Sequence, residues 1–262
     1  MSTALTWRRR ALLGAAGLVL CGATAELAHR LGPPAARVLP APSIVAVAAT
    51  GLLTDGEFAA HAYATVYACA VGLPAAFGLA VTAGLLLGAL PGIERALRPV
   101  LEFLRSIPSL VLIPLALSLF GDPSAAKTML IVYSCSWPIL INTLYGMLEV
   151  EPLAKDTLRA YGFGPLTILW RVCLPSTAPH IGTGVRLAVP VALIVSVSVE
   201  VITGGTPGIG TYIVNAYSFD QPAHALAATL AAGLLGLAAT ELCGAGERRL
   251  FAWHRHTTGE AR

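Results

Sequence analysis

Long apolar runs, separated by short charged clusters, organise the chain. Stretches free of Asp, Glu, Lys and Arg run from Ala11 to Ala25 (extending past Glu26 to about Ala28), from Ala62 to Ile93, from Ser106 to Gly121, from Thr128 to Leu148, from about Gly182 past Arg186 towards Glu200, and from Gln221 to Thr240. A bilayer core takes about 20 apolar residues per helix. Backbone groups in hydrocarbon must be paired within a helix or a closed barrel, and these runs lack the alternation of barrel strands. The pattern predicts an all-α integral membrane protein with six transmembrane helices. The second run exceeds one span, so part of it lies outside lipid; the third is short and holds Pro108 and Pro114.

Composition agrees. Of 262 residues, 56% are hydrophobic and 12% charged, about half the charged share of a soluble domain, which excludes a solvated globule. The formal charge of +3 offers no crowded basic face for nucleic acid. Cys21, Cys69, Cys135, Cys173 and Cys243 are odd in number, widely spaced and mostly inside apolar runs, which suits buried small hydrophobes rather than a disulfide framework or a metal site.

Lys and Arg accumulate on the cytoplasmic side of membrane proteins. With six spans and both termini cytoplasmic, that side receives Arg8, Arg9, Arg10, Arg95, Arg98, Arg105, Lys155, Arg159, Arg171, Arg186, Arg248, Arg249, Arg255 and Arg262, leaving Arg30, Arg37 and Lys127 of the 17 basic residues outside. Arg8 to Arg10, the apolar run after them and Ala23-Thr24-Ala25 imitate a cleavable signal peptide. Cleavage would discard the charge asymmetry, so a retained first helix is expected. Three regions follow: residues 1–61, the first span and a proline-rich outer connection with an interfacial helix from near Pro42; residues 62–245, a core of five spans; and residues 246–262, a cytoplasmic tail in which Arg248, Arg249, Trp253, His254 and Arg255 read as an interfacial anchor.

The loop 149–175 is the most polar part of the middle of the chain. Pro152 suits a first helical position, with Glu149 and Glu151 at the positive end. Gly162 suits a helix stop, and Gly164-Pro165 a turn that opens a second helix, expected to run to Leu174 until Pro175 interrupts it. A helix of about ten residues is marginal alone. The corner therefore either lies on the membrane surface as an amphipathic loop or docks to another protein.

Asp156-Thr157-Leu158-Arg159-Ala160-Tyr161-Gly162, then Arg171, Val172 and Leu174-Pro175, resembles the cytoplasmic loop of ATP-binding-cassette importer permeases, EAAxxxG followed after nine residues by IxLP. Asp156 replaces the Glu, Thr157 and Leu158 the two alanines, and Val172 the Ile, while the spacing is intact. Leu104-Arg105-Ser106-Ile107-Pro108, Ile113-Pro114, Phe120-Gly121, Pro138-Ile139-Leu140 with Asn142-Thr143, and Glu200 followed by Gly208-Ile209-Gly210 are similar to the sulfonate, taurine and nitrate-type permeases. The similarity runs from about Pro99 to Trp253.

The resemblance implies the type I importer permease (MetI-like) fold in a bacterial inner membrane. It also implies two permease copies forming the pathway, two cytoplasmic ATPases that bind ATP and Mg, and an extracytoplasmic solute-binding protein. The helix from Pro152 to Tyr161 takes the role of the coupling helix, with Asp156, Thr157, Leu158, Arg159, Ala160, Tyr161, Gly162 and Pro175 as coupling residues. The chain has no GxxxxGK[ST] phosphate loop, so it carries no cofactor and no ATPase or catalytic residues of its own on this reading. The implied substrate is a sulfonate or a small anion such as nitrate.

Glu200, by its count from Gly182, falls towards the outer side, either at a gate or pathway or as an acceptor for helix ends or for Thr203 and Thr206. The run Thr203 to Gly210 reads as an outer re-entrant turn or gate loop. Asn142, Ser134, Ser136, Ser196 and Ser198 either line an aqueous path or join helices. His180 and His224 lack ligand partners at helical spacing. An ion-gradient-driven secondary transporter is the alternative function; it calls for half-membrane repeats and midplane carboxylates, and the sequence displays neither.

Overall fold

The computed structural model describes residues 7–31 and 39–250, all helix and turn. Helix α1 (Trp7–Leu31) is followed by α2 (Pro42–Leu52), α3 (Gly56–Ala89) and α4 (Pro91–Arg105). A 3-10 turn (Ser109–Leu112) leads into α5 (Ile113–Phe120), then α6 (Pro123–Glu149), α7 (Pro152–Ala160) and α8 (Pro165–Ile168). A π turn (Leu169–Cys173) joins α8 to α9 (Leu174–Thr203), and α10 (Ile209–Ser218) and α11 (Pro222–Leu250) complete the order. Trp253, His254 and Arg255, placed by sequence in an anchor, lie outside the described residues.

Among the described residues five helices are long and apolar enough to cross a membrane: α1, α3, α6, the continuous run Pro165–Thr203, and α11. The sixth expected span is not one rod. Pro91–Arg105 and Ser109–Phe120 are bent by 78° against each other, because Pro108 removes a backbone donor and disfavours helical geometry in the residue before it. The same chemistry divides the second run. Helix α3 stops at Ala89, Leu90 leaves helical geometry, and Pro91 opens α4.

The core is a packed trio of α3, α6 and α9, with Leu130, Ile131, Cys135, Ile139, Ala188 and Val199 buried among them. Association of helices in lipid rests on close packing and small residues. Gly72 of α3 faces Ile131, Gly84 faces Thr143, and Gly184 of α9 faces Ile139 and Asn142 of α6. A second cluster joins α2, α10 and α11 through Val45, Leu52, Tyr212, Ala216, Ala227 and Ala228. Helix α1 stands at the edge and is tied to the start of α2 by Glu26, which accepts from the Ser43 backbone at 3.1 Å and its hydroxyl at 3.0 Å.

Pro175 does not end a helix. Leu169–Cys173 form a π turn, in which the Leu174 N–H donates to Leu169 O, and the helix runs on from Pro165 to Thr203. The wider turn carries the chain past a residue with no N–H to give.

Candidate functional site

Two constellations occupy opposite ends of the α3–α6–α9 core. At one end α6 leaves the bundle at Glu149, and α7 and the start of the long α8–α9 helix form a hairpin. Helix α7 closes with a 6→1 bond from the Phe163 N–H to Leu158 O at 3.0 Å, and Gly162 takes φ +79°. Left-handed backbone strains any residue with a Cβ. A Cβ at Gly162 would meet nothing within 4 Å, so conformation alone requires glycine there.

The helix is anchored on one side and bare on the other. Leu158 packs, half-buried, against the cluster of Met147, Val150, Ile168 and Cys173. The Lys155 ammonium reaches Met147 O at 3.4 Å, and the Arg171 guanidinium lies 5.6 Å from the centre of the Phe163 ring. Asp156 and Arg159 pair with each other at 2.9 Å and remain exposed, and Thr157 bonds back to Leu153 O at 2.8 Å. Tyr161 is 78% exposed and Leu153 69%, so two large apolar side chains project from the same corner; Ala160 and Pro175 are also exposed. At the base of the hairpin His180 Nε2 lies 3.1 Å from a Glu149 carboxylate oxygen.

At the far end Glu200, in the last turns of α9, is fully buried. Its carboxylate accepts from Lys127 Nζ of α6 at 3.1 Å, Thr65 of α3 at 3.0 and 3.1 Å, Ser196 at 3.0 Å and the Gly210 N–H at 3.0 Å. Three spans and the start of α10 thus converge on one carboxylate. Lys127 is itself buried, so the two charges neutralise each other where neither could stand alone. Around them Thr65 accepts from the Ile209 N–H and His61 Nδ1 from the Gly208 N–H, both at 2.9 Å. The first turn of α10 therefore finds acceptors on both α3 and α9. Tyr212 completes the tie by donating to Asp55 at 2.9 Å, and that hydrogen bond holds the Asp55 carboxyl below its usual range.

The glycines here are required by contact. A Cβ on Gly208 would strike the Glu200 carboxylate, and one on Gly210 would strike Val197 O. Thr203 bonds to Val199 O at 2.8 Å and the Thr206 hydroxyl has no partner among the described residues, so neither is the donor that Glu200 uses. Asn142 bonds to Pro138 O at 2.8 Å and half-faces the α9 contact; Ser134 and Ser136 likewise bond back within α6.

The sequence profile of the family described as "Binding-protein-dependent transport system inner membrane component" matches residues 76–251. The chain belongs to that family. Among similar proteins, the nitrate import permease protein NrtB of Leptolyngbya laminosa is 33% identical over 170 residues, 63% of this chain and 61% of that protein. A Bacillus subtilis protein provisionally named aliphatic sulfonates transport permease protein SsuC is 29% identical over 229 residues, 87% of this chain and 83% of that one. The bicarbonate transport system permease protein CmpB of Synechocystis is 29% identical over 157 residues, 60% of this chain and 56% of that protein. The alignments to the nitrate and bicarbonate permeases thus span less than two thirds of those proteins. In fold, the chain is similar to the inward-facing MetNI methionine ABC transporter, with a TM-score of 0.58 at 18% identity, covering 72% of this chain and 91% of that one. It is a multi-pass inner-membrane permease with the MetI-like fold.

The permease's sequence hides two of these features. Lys127 reads as a solvated residue outside the bilayer, yet it is buried against Glu200. The signal was present: one cation at the edge of an apolar run and one anion near the end of another. Arg105 reads as part of a cytoplasmic connection, yet it lines the same groove as Trp137, about halfway along α6, because the helix break falls after it rather than before it. Glu200 is also a buried carboxylate of the kind the gradient-driven alternative calls for, though it lies near a helix end and is fully paired.

Proposed function

We propose that the chain is the membrane-spanning subunit of an ATP-driven importer. Two copies form the pathway, two cytoplasmic ATPases bind ATP and Mg, and an extracytoplasmic binding protein delivers a small oxyanion, a sulfonate or an anion such as nitrate. The nitrate, sulfonate and bicarbonate relatives support that substrate class.

One observation carries the mechanism: a short helix, held rigidly to the bundle by Leu158 and Gly162, that leaves Asp156, Arg159, Tyr161 and Leu153 bare. A separate ATPase gripping this face would move α6 and the long α8–α9 helix as levers, since the hairpin is continuous with both. With both termini and the hairpin cytoplasmic, the Glu200 constellation lies towards the outside. It then holds the Thr203–Gly210 turn and α10 against the spans, as a fixed element of the outer face rather than a moving proton carrier.

The test is co-purification with an ATPase subunit, followed by ATP turnover in proteoliposomes with and without solute-loaded binding protein. Stimulation by the loaded protein is expected. A lone polypeptide that accumulates solute under an ion gradient would overturn the proposal.

A further inference from the structure

Helix α4 carries charge along one edge. Glu94, Arg98, Glu102 and Arg105 line a groove of about 150 Å³ whose opposite wall is α6 from Trp137 to Leu148. Tyr133 donates to Leu104 O at 2.6 Å, which fixes the end of α4 beside the middle of α6. The charged edge therefore runs from the hairpin end of the bundle to about half its depth, where the helix breaks at Ser106–Pro108.

At that depth an exposed guanidinium and an interrupted backbone ladder do not face lipid; they face water or protein. Along the stripe, Arg98 holds Glu94 at 2.8 Å, while Arg105 makes no ion pair among the described residues. Its planar donor fork matches an oxyanion. Trp137 lines the same groove, and its indole N–H, shut from solvent, has no acceptor among the described residues. Glu102 keeps the local charge near balance, which suits a site that must release what it holds.

Resting on the proposal that the cargo is an oxyanion, we propose that the α4–α6 groove is a station on the translocation path, with Arg105 as its anion-binding residue. The ligand class is a small oxyanion: nitrate, bicarbonate or the head group of an alkanesulfonate.

The test uses the complete transporter in proteoliposomes with loaded binding protein, and nitrate and ethanesulfonate as probes. Arg105→Gln is expected to lower uptake per ATP hydrolysed by about tenfold, the loss of one charged hydrogen bond, and Arg105→Lys, which keeps the charge, to recover much of it. Arg105→Cys, in a chain freed of its five native cysteines, is expected to react with a water-soluble anionic thiol reagent. Uptake by Arg105→Gln equal to that of the parent overturns the proposal. So does a cysteine shielded from the reagent, whether by lipid or by a second copy of the chain. If the parent transports neither anion, the substrate class fails, while the thiol reaction still decides whether the groove is aqueous.

Discussion

Glu200 and Lys127 stand 73 positions apart in sequence and 3.1 Å apart in space, both buried. Each lies at the edge of a different apolar helix, and the pair also holds Thr65 of α3 and the Gly210 backbone of α10. Removing one partner leaves an uncompensated buried charge, at a cost of about 3–5 kcal/mol, whereas replacing both with apolar or neutral groups is often tolerated. Lys127→Met is expected to melt well below the parent in detergent, and Lys127→Met with Glu200→Gln to regain most of the loss. A double variant no more stable than Lys127→Met would show that the two residues act independently.

Gly162 tests the hairpin. At φ +79° a β-branched residue costs about 1–2 kcal/mol of local strain; since the space around it is open, the strain is expected to appear in the orientation of α7 rather than in the bundle. Gly162→Val should insert and assemble with an unchanged melting profile, yet transport less solute per ATP hydrolysed. Undiminished uptake would remove the docking role from this corner.

Gly208 makes a contrasting prediction, since its limit is space and not backbone angle. Gly208→Ala drives a methyl group into the Glu200 carboxylate and is expected to destabilise the fold by about 1–3 kcal/mol, the range for overpacking. Thermal unfolding should register it. In a background that carries Lys127→Met and Glu200→Ala, which frees the space without leaving a lone buried charge, the same glycine substitution should cost less.

Asp55 supplies a pH dependence. Tyr212 donates to it and lowers its pKa in the folded protein. A depressed carboxyl contributes stability that is fully present above its unfolded value of about 3.9 and is lost as pH falls through the lower folded value. The attachment of α10 to the start of α3 should be insensitive to pH from neutrality down to about 4 and loosen below that. Hydrogen exchange of the α10 amides at pH 3 to 6, compared with Asp55→Asn, is the measurement. An Asp55→Asn variant with the same acid response as the parent would assign that response to another group.

Much of this protein was legible in one dimension. The apolar runs marked the spans, because a helix in lipid must be apolar along its whole length. Pro152, Gly162 and Pro165 marked the hairpin, because their backbone limits are local. The expected stop at Pro175 failed for a reason no residue count reveals: a π turn at Leu169–Cys173 absorbed the proline. The expected third span is present as Ser109–Phe120, but it joins α4 across a 78° bend at Pro108, a junction that the run of apolar residues does not reveal.

The sequence by itself determined the membrane class, the approximate spans, the 149–175 hairpin and the family resemblance, since each follows from local composition, spacing or backbone chemistry. Only the tertiary structure decided that Lys127 belongs inside with Glu200, that α10 borrows acceptors from α3 and α9, and that Arg105 reaches the depth of Trp137. Those relations depend on how helices far apart in sequence are rotated and stacked, and burial and pairing are properties of that arrangement rather than of any one run of residues.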